Sequence, residues 1–272
     1  MDRICGVILY NPGKEDISNI RYWCSCFDVV FLYQNSLLTP KCLEELKNES
    51  NIFLLGSGHN DGLSVACDVI CEEAKMKGYQ SVILFDQDSR IAKQSIDLLF
   101  DYAHDNFNNR VGIVCPIIDY GKGKGRNKQP EERISWCITS GSLINLTIYG
   151  THVSFDKNYF IDRLDKDFCQ QTLNAGYSII RLGNAVLNQQ LGETLSSFWI
   201  KYSSHSVVRH YYIARNRLYY NHKYDVSFLV SIAQTIRHLY EILMWEDYKM
   251  RKIFSLFNGI NDYFHNRFGG KI

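Results

Sequence analysis

The 272 residues suffice for one large domain, or a domain with an appended segment, at a norm of about 150 residues per domain. Thirty Lys and Arg against 29 Asp and Glu leave a net charge of +1, so no global field draws in nucleic acid, and no nucleic-acid partner is expected. Nine cysteines without paired Cys-x-x-Cys spacing, several inside apolar segments (Cys5, Cys115, Cys137), favour reduced thiols over a disulfide framework. No run approaches about 18 uninterrupted apolar residues, so the chain is expected to be cytoplasmic, neither secreted nor membrane-spanning.

Along the first 118 residues short apolar runs alternate with amphipathic segments. Ile4 to Tyr10, Val29 to Gln34, Ile52 to Leu55, Ser81 to Phe85 and Val111 to Ile118 read as strands. Pro12 and Gly13 close the first strand, Pro40 suits the first turn of a helix, and Leu63, Ala66, Val69, Ile70 and Ala74 recur at helical spacing. Strand and helix repeated in this way predict an α/β fold with a doubly wound sheet.

The run Val82 to Phe85 suits a strand buried on both faces, and it ends in Asp86 and Asp88. In such sheets ligands sit beyond the carboxyl ends of the strands. Two aspartates on that rim either share a divalent cation, which oxygen ligands suit, or cap a surface turn. The polar, glycine-rich stretch from Gly121 to Pro130 predicts a loop whose basic residues keep it solvated or meet a phosphate or an anionic membrane.

A second acidic group, Asp162, Asp165 and Asp167, precedes another helical pattern, and Tyr177 to Leu182 reads as a final strand. Helix N-termini favour carboxylates, which explains one or two of the three without chemistry. Beyond His205 the pattern is helical, with Phe228, Leu229, Ile232, Ile236, Leu239, Tyr240 and Leu243 drawing one apolar stripe. Such a stripe is expected to pack on the sheet domain rather than lie in a membrane interface.

These segments together resemble glycosyltransferase family 2, in its bacterial rhamnosyltransferase-like branch. The motifs are Val7 to Pro12, Asn60-Asp-Gly62 with Ala66, Leu84-Phe-Asp-Gln-Asp-Ser89, Trp136 to Leu143, Phe155-Asp156 with Tyr159 to Asp162, and Asp165-Lys-Asp167. Tyr211-Tyr212, Arg215-Asn216, Phe257-Asn-Gly259 and Phe268 to Lys271 follow in the same order. The resemblance implies a Rossmann-like glycosyltransferase A fold, with a mostly parallel central sheet and helices on both faces. It places a nucleotide-sugar-binding and catalytic domain at residues 1–200, with a donor half over 1–118 and an acceptor half over 131–200. A C-terminal helical segment takes up 201–272.

It further implies an inverting transfer of a sugar from a nucleoside-diphosphate donor to a hydroxyl of a lipid-linked surface polysaccharide, with peripheral contact at the inner membrane face. Asp88 and Gln189 would hold Mg2+ or Mn2+, and Asp86 would contact the ribose or assist the metal. Asp165 falls at the catalytic base, which an attacking alcohol requires. Tyr10, Asn11, Gln34, Asn60 and Gly62 would line the nucleotide, and Ser140 and Gly141 the floor under the donor sugar. Arg209 and Arg215 would reach the diphosphate with forked donors. Asp162, Asp167 and Trp136 would meet the acceptor.

The chain departs from the family pattern at three positions. Gln34 replaces an aspartate, Asp68 an asparagine, and Gln189 a histidine. An amide oxygen suits a hard cation, so magnesium fits at least as well as manganese. A non-catalytic nucleotide-sugar-binding module is the alternative.

Overall fold

The computed structural model describes residues 2–121, 129–189, 194–197, 200–203 and 205–271. The basic stretch Lys122 to Lys128 and Gly192 lie outside them. Two compact units are present: residues 1–157 with 165–190, and residues 158–164 with 191–272. The short piece 158–164 thus belongs with the C-terminal unit, a division that nothing in the local sequence pattern marks.

The first unit is built on one sheet. Its strands are β1 (Ile4–Leu9), β2 (Val29–Gln34), β3 (Ile52–Leu55), β4 (Ser81–Asp86), β5 (Arg90–Ile91), β6 (Val111–Asp119), β7 (Glu131–Ile134), β8 (Leu143–Asn145) and β9 (Ser178–Asn188). The helices are α1 (Lys14–Cys26), α2 (Pro40–Leu46), α3 (Leu63–Met76), α4 (Lys93–Asn106) and α5 (Leu164–Asn174). Strand order is β3-β2-β1-β4-β8-β6-β9-β5, with β7 also paired to β9. The β3-β2-β1-β4 half is parallel, as is β6 with β9, whereas β5, β7 and β8 pair antiparallel to their neighbours. The sheet is therefore mixed beyond β4.

Helices cover both faces, and alternation along β1 shows how. Cys5, Val7 and Leu9 join one apolar cluster with Ile17, Ile20 and Trp23 of α1 and Ile96 and Leu99 of α4. On the opposite face Gly6 meets α3 so closely that a Cβ there would stand 2.4 Å from Ile70 Cγ2. Trp23 stacks on Phe85 at 5.3 Å between ring centroids, which ties α1 to the strand that ends in the acidic pair. Thr39 caps α2 by accepting from the Cys42 N–H, with Pro40 at the first helical position.

The second unit holds a hairpin, β10 (Thr194–Ser197) with β11 (Ile200–Ser203), and three helices, α6 (Val207–Lys223), α7 (Phe228–Trp245) and α8 (Lys249–Phe264). Ser206 caps α6. Gly259 lets α8 approach α6, because a Cβ would lie 2.3 Å from the Tyr211 carbonyl oxygen. The apolar contact is small, centred on Ala214, Ile242 and Leu256. The stripe expected to pack inward is instead exposed at Phe228, Leu229, Ile232, Ile236, Tyr240 and Leu243. Periodicity marks an apolar face but not the direction in which it points.

Candidate active site

The first acidic group forms where β4 ends. A tight turn closes as the Ser89 N–H donates to the Asp86 carbonyl at 3.1 Å. Asn19 of α1 donates its amide to the carbonyls of Gln87 and Ser89 at 3.1 and 2.7 Å, and so staples the turn to α1. Gln87, between the two aspartates, accepts from the Tyr10 N–H at 2.8 Å and donates to Asp16 Oδ2 at 3.3 Å. One glutamine thus joins the ends of β1 and β4 to the start of α1.

Segment 139–142 lies alongside β4, with the Gly141 N–H donating to the Leu84 carbonyl at 2.7 Å and the Leu84 N–H to that of Ser142 at 3.2 Å. Gly141 has φ of +79°, where a Cβ would stand 3.0 Å from both Leu187 and Pro116. This path brings the Ser140 hydroxyl 2.6 Å from that of Ser89, and the Asp86 N–H donates to Ser140 at 3.1 Å. Gln189, just past β9, donates its amide to Asp86 Oδ2 at 3.0 Å.

Asp165 stands in the first turn of α5. Its Oδ1 accepts from the Thr139 N–H at 2.7 Å and from the Thr139 hydroxyl, so residue 139 fixes the carboxylate. Asp86 feels this group. Its pKa is pushed up to about 7, first by burial and then by the charges of Asp165 and Asp88, with the Gln189 amide working in the opposite direction. Burial and the Asp165 charge also raise the Tyr120 phenol. Two acidic groups remote in sequence therefore share one electrostatic neighbourhood.

Nearby strand ends carry a polar rim. The Asn11 N–H donates to Ser36 at 2.7 Å with Asn11 at φ of +49°. Asn35 donates to Asn60 Oδ1 at 3.1 Å and accepts from the Asp61 N–H at 2.8 Å, while the Tyr33 hydroxyl donates to Asp61 at 2.8 Å. Gly62, at φ of +87°, starts α3, and the Gln34 carbonyl accepts from the Gly58 N–H. Trp136 is exposed beside α5, with Lys166 5.4 Å above its ring.

No family model matches the chain. Among curated proteins it is similar to dTDP-rhamnosyl transferase RfbF of Shigella flexneri, at 26% identity over 250 residues covering 85% of this chain and 83% of that protein. The crystal structure of S. aureus TarS 1-349 in complex with UDP-GlcNAc superposes with a TM-score of 0.56 at 14% identity, over 97% of this chain and 73% of that one. In sequence the chain is similar to a bacterial rhamnosyl transferase, and in fold to glycosyltransferases. The crystal structure of GalNAc-T7 with UDP, GalNAc and Mn2+ agrees in fold, with a TM-score of 0.58 and 12% identity over 70% of this chain. The chain spans 44% of the GalNAc-T7 chain. The fold is of the glycosyltransferase A type.

Tyr10, Asn11, Gln34, Asn60, Gly62, Asp86, Asp88, Trp136, Ser140, Gly141, Asp165 and Gln189 all belong to the first unit. Four of the expected site residues have partners of their own within the protein. Arg215 is fully buried, donates to the carbonyls of Gly269 and Asn158 at 2.7 and 3.1 Å, and lies against the rings of Tyr211 and Tyr212. A guanidinium held in this way anchors the C-terminal unit. Asp167 is also buried and accepts from Gln171 one turn along at 2.6 Å. Arg209 pairs with Asp162 at 3.1 Å inside the second unit, which gives each a partner other than the ligand expected for it.

Three contributors had no local signal. Gln87, Thr139 and Asn19 act across separations of 26 to 77 residues that only the sheet brings together. Asp68 is structural, accepting from the Tyr149 hydroxyl at 2.8 Å and pairing with Lys157.

Proposed function

We propose that this chain is a glycosyltransferase that moves rhamnose from a nucleoside-diphosphate donor to a hydroxyl of a lipid-linked saccharide, by a single displacement that inverts the anomeric centre. The observation that supports this reading is that the charges of Asp165 and Asp88 both reach the Asp86 carboxyl, with Ser140 and Thr139 fixing the segments that carry Asp86 and Asp165. The sugar is suggested by the likeness to a dTDP-rhamnosyl transferase.

In this reading Asp165 takes the proton of the acceptor hydroxyl as it attacks, and Thr139 keeps the carboxylate aimed. Gln87 and Asn19 hold the acidic turn rigid, so donor contacts there need little reorganisation. Tyr10, Asn11, Gln34, Asn60 and Gly62 line the nucleotide, Ser140 and Gly141 lie below the sugar, and Trp136 offers its exposed ring to the acceptor.

Among the described residues no three His, Cys, Asp or Glu side chains form a metal-holding group. The donor set nevertheless suits a hard cation, because Gln189 Oε1 is buried without a hydrogen-bond donor and carboxylates of like charge crowd beside it. Asp88, Asp86 and Gln189 would hold Mg2+ or Mn2+. Such an ion offsets the charge that develops on the leaving diphosphate.

No helix among the described residues is long and apolar enough to cross a membrane. Peripheral contact at the inner membrane face is proposed through α8, where Lys249 and Arg251 flank the exposed Met250, about one turn before the exposed Phe254. Nucleotide release from dTDP-rhamnose, UDP-GlcNAc and a GDP-sugar, with a lipid-linked saccharide as acceptor, tests the assignment. Release only from a donor other than dTDP-rhamnose would replace the sugar; binding without release from any donor would remove the activity.

A further inference from the structure

Helix α7 is built inside out. Its inward face carries Ser231, Thr235 and His238 beside the buried Ile242, and those polar groups already have partners. Ser231 accepts from Asn221 at 2.8 Å, Thr235 from Arg217 at 2.9 Å, and a ring nitrogen of His238 lies 2.9 Å from one of His210. Those bonds fix the rotation of α7 about its axis, so the apolar side is held outward. Phe228, Leu229, Ile232, Ile236, Tyr240, Leu243 and Met244 stand there between 40% and 75% exposed. A surface of this size is unusual on a chain that works alone.

We infer that a second copy of this chain covers α7, in an antiparallel pairing about a two-fold axis through Ile236. Leu229 and Leu243 lie seven residues to either side of Ile236, and Ile232 and Tyr240 four to either side. The seam therefore complements itself when reversed. Ile236 meets its own equivalent, Leu229 meets Leu243 of the partner subunit, and Ile232 meets the partner's Tyr240. Spacing of three and four residues is what a helix pair needs to interlock, and an isologous contact needs one patch that fits itself.

Two further observations favour a protein over a lipid surface. Apart from His238 and the phenol of Tyr240, the only charged or titratable side chains in the 18 residues of α7 are Arg237 and Glu241, paired with each other at 2.8 Å. A membrane-surface helix depends on a strongly charged face rich in Lys and Arg, whereas a neutral rim suits two identical surfaces that would otherwise repel. The extent also fits. Seven such side chains, a little over half exposed on average, present roughly 800 Å² of surface, at about 200 Å² for a large side chain fully bared, comparable to the ~800 Å² that each partner gives to a stable interface.

Sedimentation velocity of the full chain at micromolar concentration tests this, with Ile236→Glu, Ile236→Cys and Leu229→Cys as variants. The expected result is a dimer for the parent and a monomer for Ile236→Glu, with a thermal midpoint that rises with protein concentration in the parent and not in the variant. Under mild oxidation Ile236→Cys should cross-link to itself, whereas Leu229→Cys should do so only when combined with Leu243→Cys. This pattern reports register even if the glutamate variant folds poorly. A monomeric parent, a dimer that survives Ile236→Glu, or cross-linking of Leu229→Cys alone would overturn the pairing. So would a monomeric parent that floats with phosphatidylglycerol-containing vesicles and loses them on Ile236→Glu, which would give the stripe to lipid.

Discussion

Asp165 and Asp86 carry the same functional group into opposite tasks, and their surroundings tell them apart. Asp165 is oriented by two donors from Thr139. Asp165→Asn should lower transfer by on the order of 10²–10⁴-fold while donor affinity, read by titration calorimetry, stays within a few-fold; an active variant would take the base role from this residue. Asp86 should instead be visible in stability. Its carboxyl keeps a proton up to about pH 7 in the fold, against an ordinary value of about 3.9 in the unfolded chain. The folded state thus binds the extra proton between those values, so stability is full at the acid end and declines as pH rises toward 7. Thermal midpoints of the parent minus those of Asp86→Asn, measured without added metal, should fall across that window. A flat difference would mean that the carboxyl is not perturbed.

At the scale of elements, the parallel strands were legible because burial on both faces demands unbroken apolar runs, as in Val82 to Phe85. Strand β7, Glu-Glu-Arg-Ile, carries no such run because it pairs only at the margin of β9, and β5 and β8 are two and three residues long. Their antiparallel pairing was therefore hidden. The acidic motifs could be read at strand and helix ends, but Gln87 and Thr139 could not, since neither residue type nor spacing distinguishes them until β4 and segment 139–142 lie side by side. In the second unit the close approach of α8 to α6 rests on a missing side chain. Gly259→Ala forces a methyl group against the Tyr211 carbonyl and should cost about 1–3 kcal/mol, read as a lower denaturant midpoint. An unchanged midpoint would show that the two helices separate without penalty.

For the molecule as a whole, the first unit carries the candidate chemistry and the second is bound together by an unusual share of polar contacts, among them the Arg215 anchor and the buried set of His210, Glu246 and Lys252. Ligand binding should stabilise the chain according to mass action, by about 2.7 kcal/mol at a hundredfold excess over Kd. A thermal-shift series with dTDP, UDP and GDP, each with and without Mg2+, is expected to show the largest rise for one nucleotide together with the ion. Asp88→Ala should remove the part that depends on the ion. Equal shifts with and without Mg2+ would detach metal from donor binding.

Thr139 and Ser140 are consecutive, yet one grips the carboxylate proposed to receive the proton and the other grips the turn proposed to hold the departing group. A single peptide unit therefore gauges the gap between arrival and departure. Any change that moves this backbone, such as Gly141→Ala against Leu187 and Pro116, should shift both ends of the reaction at once, weakening donor capture and turnover in step, where a lesion at either aspartate alone would separate them.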